Sequence, residues 1–336
     1  MVSYLDVLKY LKQKRKVIDS EINNLIPEHL KPEILTESSR HTILAGGKRL
    51  RPVLTLTSAE SVGGDPEKAI KTAAGIELLH TFTLVHDDIM DQDHFRRGEK
   101  TVHEIWGKSI AIIAGDALFA KVFEALAENA KNQDISSKKL ERLLEIVSKA
   151  SFEICQGQAM DLEFERKDLV EEEEYLEMVE KKTGALMDAA TRSGALLGGA
   201  TDKEVDSLGE YGRLLGIAFQ IHDDYLGTKG DENKVGKPVG SDIEEGKWTI
   251  LAVHAYNEAN DNDRKRLVEI LNRDKTGAEE VKEVLEIYED TKAVDFACKK
   301  SKELVKQAKK EISDFPDTEA KRFLLELADF SVEREL

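Results

Sequence analysis

The stretch LLHTFTLVHDD, Leu78 to Asp88, recurs as LLGIAFQIHDD, Leu214 to Asp224. The copies share the leading Leu-Leu and the closing His-Asp-Asp, and their histidines, His86 and His222, lie 136 residues apart. Each reads as an apolar helix that finishes in a pair of acids. The chain around them has the same period: apolar residues recur three and four apart in Leu5, Leu8, Leu11, Ile18 and Ile22, and in Leu140, Leu143, Leu144 and Val147. That spacing lines one face of a helix. β-Branched runs bounded by turns are missing, and six prolines are too few for a strand-and-turn protein. We expect an all-α chain of about a dozen helices, with breaks at residues 63–67, 95–101, 132–137, 201–204 and 227–246. No Ser/Gly linker or shift of composition divides it, so residues 1–336 are read as a single domain. The acidic run Glu171 to Glu174 reads as the first turn of a helix, where carboxylates complement the macrodipole.

Forty-nine Lys and Arg against 66 Asp and Glu leave a net charge of −17. Polyanion binding needs a basic surface, so nucleic acid and anionic lipid are excluded as main partners. Small anions are not, because a few clustered bases dominate one cleft. Cys155 and Cys298 show neither disulfide nor metal spacing and are expected to be reduced thiols, which fits a cytoplasmic location. The N-terminal residues lack an apolar stretch followed by a small-residue cleavage site, so no secretory signal is expected. No apolar run reaches about 18 residues, so no membrane span is expected.

In the first copy Asp87, Asp88 and Asp91 form D-D-x-x-D. On a helix Asp87 and Asp91 share a face about 6 Å apart along the axis, where like charges repel. A hard cation resolves that repulsion: Mg2+ favours one or two carboxylates plus substrate phosphates. The alternative is a solvated acidic face. Arg96 and Arg97 follow, and Lys48, Arg49 and Arg51 precede in GGKRLRP. Guanidinium forks bind phosphate oxygens bidentately, and glycines let the backbone approach. Together these residues describe a site for diphosphates, held partly through metal and partly directly. The second copy offers Gln220, Asp223 and Asp224, then a polar loop with Lys237, Asp242 and Lys247. Its fifth position is Gly227, so this copy supplies only part of a metal site unless Asp231 or another loop acid folds back.

The ordered set GGKRLRP, HDDIMD, RRG, GQAMDL, KTGAL, FQIHDD and GKPVGSD resembles the trans-type isoprenyl diphosphate synthases, from about Gly46 to Thr249. The resemblance implies a single large helical bundle around a central prenyl-binding cavity, the isoprenoid synthase type. It implies that Lys48, Arg51, His80 and Arg97 cradle isopentenyl diphosphate. It implies Asp87, Asp91 and Asp223 as ligands of three Mg2+ ions, with Arg96, Lys182, Lys237 and Lys247 on the allylic diphosphate. Thr183 and Gln220 would sit beside the reacting carbons, as uncharged dipoles able to steady an allylic cation without capturing it. The implied reaction is ionisation of the allylic diphosphate, attack by the isopentenyl double bond, and loss of a proton, for which the departing diphosphate is the base. Homodimers are usual in the family.

The DDYLG variant followed by GDE and GKPVGSDI resembles the archaeal branch, whose members commonly make geranylgeranyl diphosphate. Farnesyl or longer-chain synthesis is the alternative product. In the family the positions five and four before the first Asp set product length, here Phe82 and Thr83. Ideal geometry turns Phe82 well away from the face that Thr83 shares with Asp87. Two further readings are an inactive partner subunit and a helical His-Asp phosphohydrolase using His86-Asp87 and His222-Asp223. The many separate bases argue against hydrolysis, and the intact first motif against an inactive subunit. His86 reads as a satisfied core histidine, and Gln158 and Asp161 as either supports of the metal site or packing groups.

Overall fold

The computed structural model describes residues 4–133, 135–165, 167–229, 240–273 and 276–333, and these are helical almost throughout. The all-α expectation holds. Among the described residues the only strands are Phe95–Arg96 and Glu99–Lys100, which pair antiparallel. The chain forms two compact units: Met1–Lys149 with Ala189–Gly209 and Asp314–Glu326, and Ala150–Asp188 with Glu210–Ser313 and Leu327–Leu336.

The first unit holds α1 (Tyr4–Leu25), α2 (Glu33–Leu44), α3 (Leu50–Ser61), α4 (Ile70–Met90), α5 (Val102–Trp106) and α6 (Lys108–Asn132). In α4 every residue from Thr72 to Leu79 is buried, so this stretch is enclosed on all sides and central, with Glu77 its one buried charge. It packs most extensively on α6, which presents Ala111, Ala114, Leu118, Val122 and Ala125 at helical spacing. The small residues of SGALLGG serve close packing. In α9 (Ala185–Gly198) a Cβ on Gly194 would stand 2.0 Å from the Thr55 carbonyl oxygen of α3.

The second unit takes the end of α7 (Ser137–Phe164), then α8 (Glu172–Val179), a π-helical turn Glu180–Gly184, and most of α10 (Asp202–Lys229). The run Glu171 to Glu174 does start a helix: α8 begins at Glu172, and the Glu174 carboxylate accepts the Glu171 N–H. Downstream lie α11 (Ser241–Glu244), α12 (Ile250–Glu258), α13 (Asp261–Leu271), α14 (Ala278–Asp290) and α15 (Ala293–Glu311). Among the described residues no helix is long and apolar enough to cross a membrane.

Candidate active site

In the first unit the helical ladder carries on through the acidic motif. The Asp91 N–H, capping α4, donates to the Asp87 carbonyl at 2.8 Å, so the two carboxylates stand one turn apart at the helix end. Asp87 is half-buried and Asp91 exposed. Asp88 points elsewhere. It is buried, and Arg96 donates from Nε to its Oδ1 at 2.5 Å. Burial pushes the Asp88 carboxyl above its usual range, and the Arg96 guanidinium pulls it back. The motif thus divides into an outer pair suited to a cation and an inner acid taken by an arginine.

Arg96 comes from the hairpin. Arg97 at φ 56° and Gly98 at φ 82° form its turn, the doubly left-handed geometry that matches strand twist. The break expected at residues 95–101 is therefore a hairpin. From its tip the Arg97 guanidinium donates to the Gly46 carbonyl. A Cβ on Gly47, at φ 149°, would stand 2.9 Å from Arg97 Nη1, which accounts for glycine there.

The GGKRLRP segment sorts its bases by depth. Arg49 is buried and bonded through every nitrogen: Nε donates to Asp19 at 2.8 Å, Nη1 to Glu77 at 2.9 Å and Nη2 to the Ile43 carbonyl at 2.8 Å. All three of its nitrogens are engaged inside the protein, so it holds the turn. Lys48 is exposed and Arg51 half-buried, with Arg51 Nη1 donating to His80 Nε2 at 3.2 Å. Burial, then the guanidiniums of Arg51, Arg97, Arg96 and Arg49, hold His80 well below the ordinary histidine range. His80 is thus a neutral ring within a cationic cradle.

Phe82 and Thr83 part as helix geometry requires. Phe82 turns to α6, its ring centroid 5.0 Å from Phe119 and 4.8 Å from His86. The Thr83 hydroxyl donates to the His80 carbonyl at 2.8 Å. His86 Nε2 donates to the Ile112 carbonyl at 3.1 Å, over Gly115, so the ring is satisfied, but it is half-buried and not a core histidine.

In the second unit the π turn displays Lys182 and Thr183. The GQAMDL segment of α7 lies against it so closely that a Cβ on Gly157 would stand 2.3 Å from the Lys182 nitrogen. Lys182 Nζ donates to Asp161 at 2.5 Å, which makes Asp161 a support of a candidate diphosphate ligand. Neither amide atom of buried Gln158 has a hydrogen-bond partner among the described residues. The Thr183 hydroxyl donates to Gln220 Oε1 at 3.2 Å, Gln220 Nε2 to Asp224 Oδ1 at 3.0 Å, and the Tyr175 hydroxyl to Asp224 Oδ2 at 2.5 Å. Asp224 is buried, and Asp223 beside it is half-buried. Burial, then the Asp242 and Asp223 carboxylates, push Asp224 up to about 7 against the two donated bonds.

Gly227 has a neighbour where the missing acid would stand. A Cβ built there would lie 3.2 Å from Asp242 Oδ2, so a carboxylate of the short helix α11 comes back to this place. Half-buried Lys247 follows it, with Nζ donating to Glu245 at 2.5 Å. Lys237 and Asp231 lie outside the described residues. Tyr175 escaped sequence reasoning, because an aromatic among glutamates at helical spacing reads as core.

These donors fit Mg2+. The candidate ligands offer only carboxylate oxygens, and among the described residues no three His, Cys, Asp or Glu converge as a cage. One or two carboxylates completed by substrate phosphates is the Mg2+ habit.

A family model described as polyprenyl synthetase matches residues 32–288. A short chain isoprenyl diphosphate synthase of Methanothermobacter thermautotrophicus is 46% identical, covering 98% of this chain and 99% of its own. The crystal structure of geranylgeranyl pyrophosphate synthetase from Pyrococcus horikoshii superposes with a TM-score of 0.93 at 46% identity, over 99% of each chain. That of a Caulobacter crescentus polyprenyl synthase, complexed with calcium and isoprenyl diphosphate, gives 0.90 at 31% identity, over 100% of this chain and 99% of that one.

Proposed function

We propose, from the premise that the chain belongs to the polyprenyl synthetase family, a division of labour among its residues. The enzyme is a prenyltransferase that joins isopentenyl diphosphate to an allylic diphosphate and releases diphosphate. Geranylgeranyl diphosphate is the product we favour, the one named for the Pyrococcus horikoshii relative.

The observation that carries the residue assignment is the split acidic motif, with Asp88 bound by Arg96 while Asp87 and Asp91 stand one turn apart. Asp87, Asp91 and Asp223 hold Mg2+. When bound, the metal neutralises the negative charge that grows on the departing diphosphate. Lys48, Arg51 and Arg97 bind isopentenyl diphosphate, and neutral His80 adds a hydrogen bond without a further charge. Arg96, Lys182, Lys237 and Lys247 bind the allylic diphosphate. Thr183 and Gln220 face the allylic carbons as dipoles. Phe82, backed by Phe119, limits product length, with Thr83 as its neighbour.

The protein acts as a homodimer in the cytoplasm. Helix α6 supports the dimer, because Ile112, Ile113 and Phe123 are 46%, 50% and 38% exposed on it. Purified protein with Mg2+, isopentenyl diphosphate and farnesyl diphosphate should give a twenty-carbon diphosphate, identified by chromatography after dephosphorylation. Absence of chain extension would refute the reading, and phosphate release without isopentenyl consumption would favour hydrolysis instead.

A further inference from the structure

An ionised Asp224 can only accept, and in that form the hydrogen bonds that end on it have one consistent polarity. A phenol can only donate to a carboxylate, so the Tyr175 hydroxyl gives its proton to Asp224 Oδ2. Burial and the Asp224 charge hold that phenol well above the ordinary tyrosine range, so it remains a donor. Asp224 Oδ1 faces the Gln220 side chain, and only the amide nitrogen can donate to it. The amide oxygen is then fixed toward Thr183, whose hydroxyl must donate in turn. A threonine that gives its proton to a glutamine oxygen has only lone pairs left to present elsewhere.

We propose that Tyr175 is a positioning residue, acting through Asp224 and Gln220 to turn the electron-rich side of the Thr183 oxygen toward the allylic carbons. Each Asp224 oxygen accepts a hydrogen bond inside the protein, and through Oδ1 the carboxylate orients Gln220. The packing locks the arrangement: Tyr175 is 1% and Asp224 6% exposed. At the other end, Gly184 of the π turn meets Gly216 of α10 so closely that a Cβ on Gly216 would stand 2.7 Å from the Gly184 Cα. Reversed, the chain would aim the Thr183 proton at a developing positive charge. This inference rests on the prenyltransferase reading and adds Tyr175 and Asp224 as its orienting pair.

Tyr175→Phe removes one oxygen and keeps the ring. Steady-state assays with Mg2+, isopentenyl and farnesyl diphosphates should show kcat down about tenfold, with both KM values within about twofold of wild type. Thr183→Val should lose more, and the double variant should be no slower than Thr183→Val alone, because the tyrosine acts through that hydroxyl. Thr183→Ser, which retains the hydroxyl, should recover most of the rate. Additive losses in the double variant, an unchanged kcat for Tyr175→Phe, or a loss confined to KM would overturn the relay. Should Tyr175→Phe fail to fold in a thermal melt, Asp224→Leu takes its place with the same pattern required. An inactive wild type would instead refute the prenyltransferase reading, so the two failures are distinguishable.

Discussion

The ends of α4 and α10 begin from the same His-Asp-Asp and treat their acids differently. In both, the second aspartate turns inward and is buried. At α4 its partner is the Arg96 cation; at α10 its partners are a phenol and an amide, both neutral. Burial raises both inner carboxyls; the Arg96 cation offsets part of the rise in the first copy, whereas in the second Asp224 is pushed up to about 7. The third acid differs as well: Asp91 follows in sequence at α4, while at α10 Asp242 lies against Gly227. One motif thus anchors a basic hairpin, and the other anchors a chain of oriented dipoles.

Removing an outer acid should have the largest effect. Asp87→Ala is expected to lower kcat by at least about 10³, measured at saturating Mg2+. A loss under tenfold would place the metal elsewhere.

Exchanging each inner acid for its amide tests the comparison directly. Asp88→Asn strands Arg96 and should cost about 2–3 kcal/mol in urea unfolding, less than for a fully buried pair because Arg96 is a quarter exposed. Asp224→Asn should respond to pH instead. The folded state holds this proton more tightly than the unfolded chain, so the stabilisation is complete below about pH 4 and lost as pH rises through about 7. In metal-free buffer, wild type should lose about 1.4 kcal/mol per pH unit relative to Asp224→Asn between pH 5 and 7. A difference independent of pH would make the two inner acids alike.

A smaller effect is expected one turn earlier. Position 82 in α4 corresponds to Ala218 in α10, so Phe82→Ala makes the copies more similar. It should lengthen the product by about one isoprene unit without abolishing turnover, read by chromatography; an unchanged product would remove Phe82 from the floor. Smallest is Gly227→Asp, which restores the acid of the first copy. Crowding against Asp242 should cost roughly 1 kcal/mol in thermal unfolding.

Helical period and the two acidic motifs were legible because they are local. Helix content follows from residues three and four apart, and Asp87 with Asp91 follows from one turn. Depth was not legible. Arg49 and Arg51 look equivalent in GGKRLRP, yet Asp19, Glu77 and the Ile43 carbonyl absorb the first. Tyr175 finds its partner 49 residues away, and the Asp242 contact with Gly227 depends on how a loop returns. Such pairings are set by tertiary packing, which no spacing rule encodes. The hairpin was missed because its two strands are only two residues each, too short for alternation to register.

A π turn carries one residue more than the α-helix into which it is set, and so amounts to an insertion kept in place. At Glu180–Gly184 that extra residue sits in the KTG segment itself. Deleting one residue there would return the turn to α-helical geometry and change which side chains it presents. Thr183 would then leave Gln220, and the backbone now accommodated by Gly157 would shift. A segment whose shape depends on its residue count tolerates changes of side chain more readily than changes of length, and alignment gaps should avoid it.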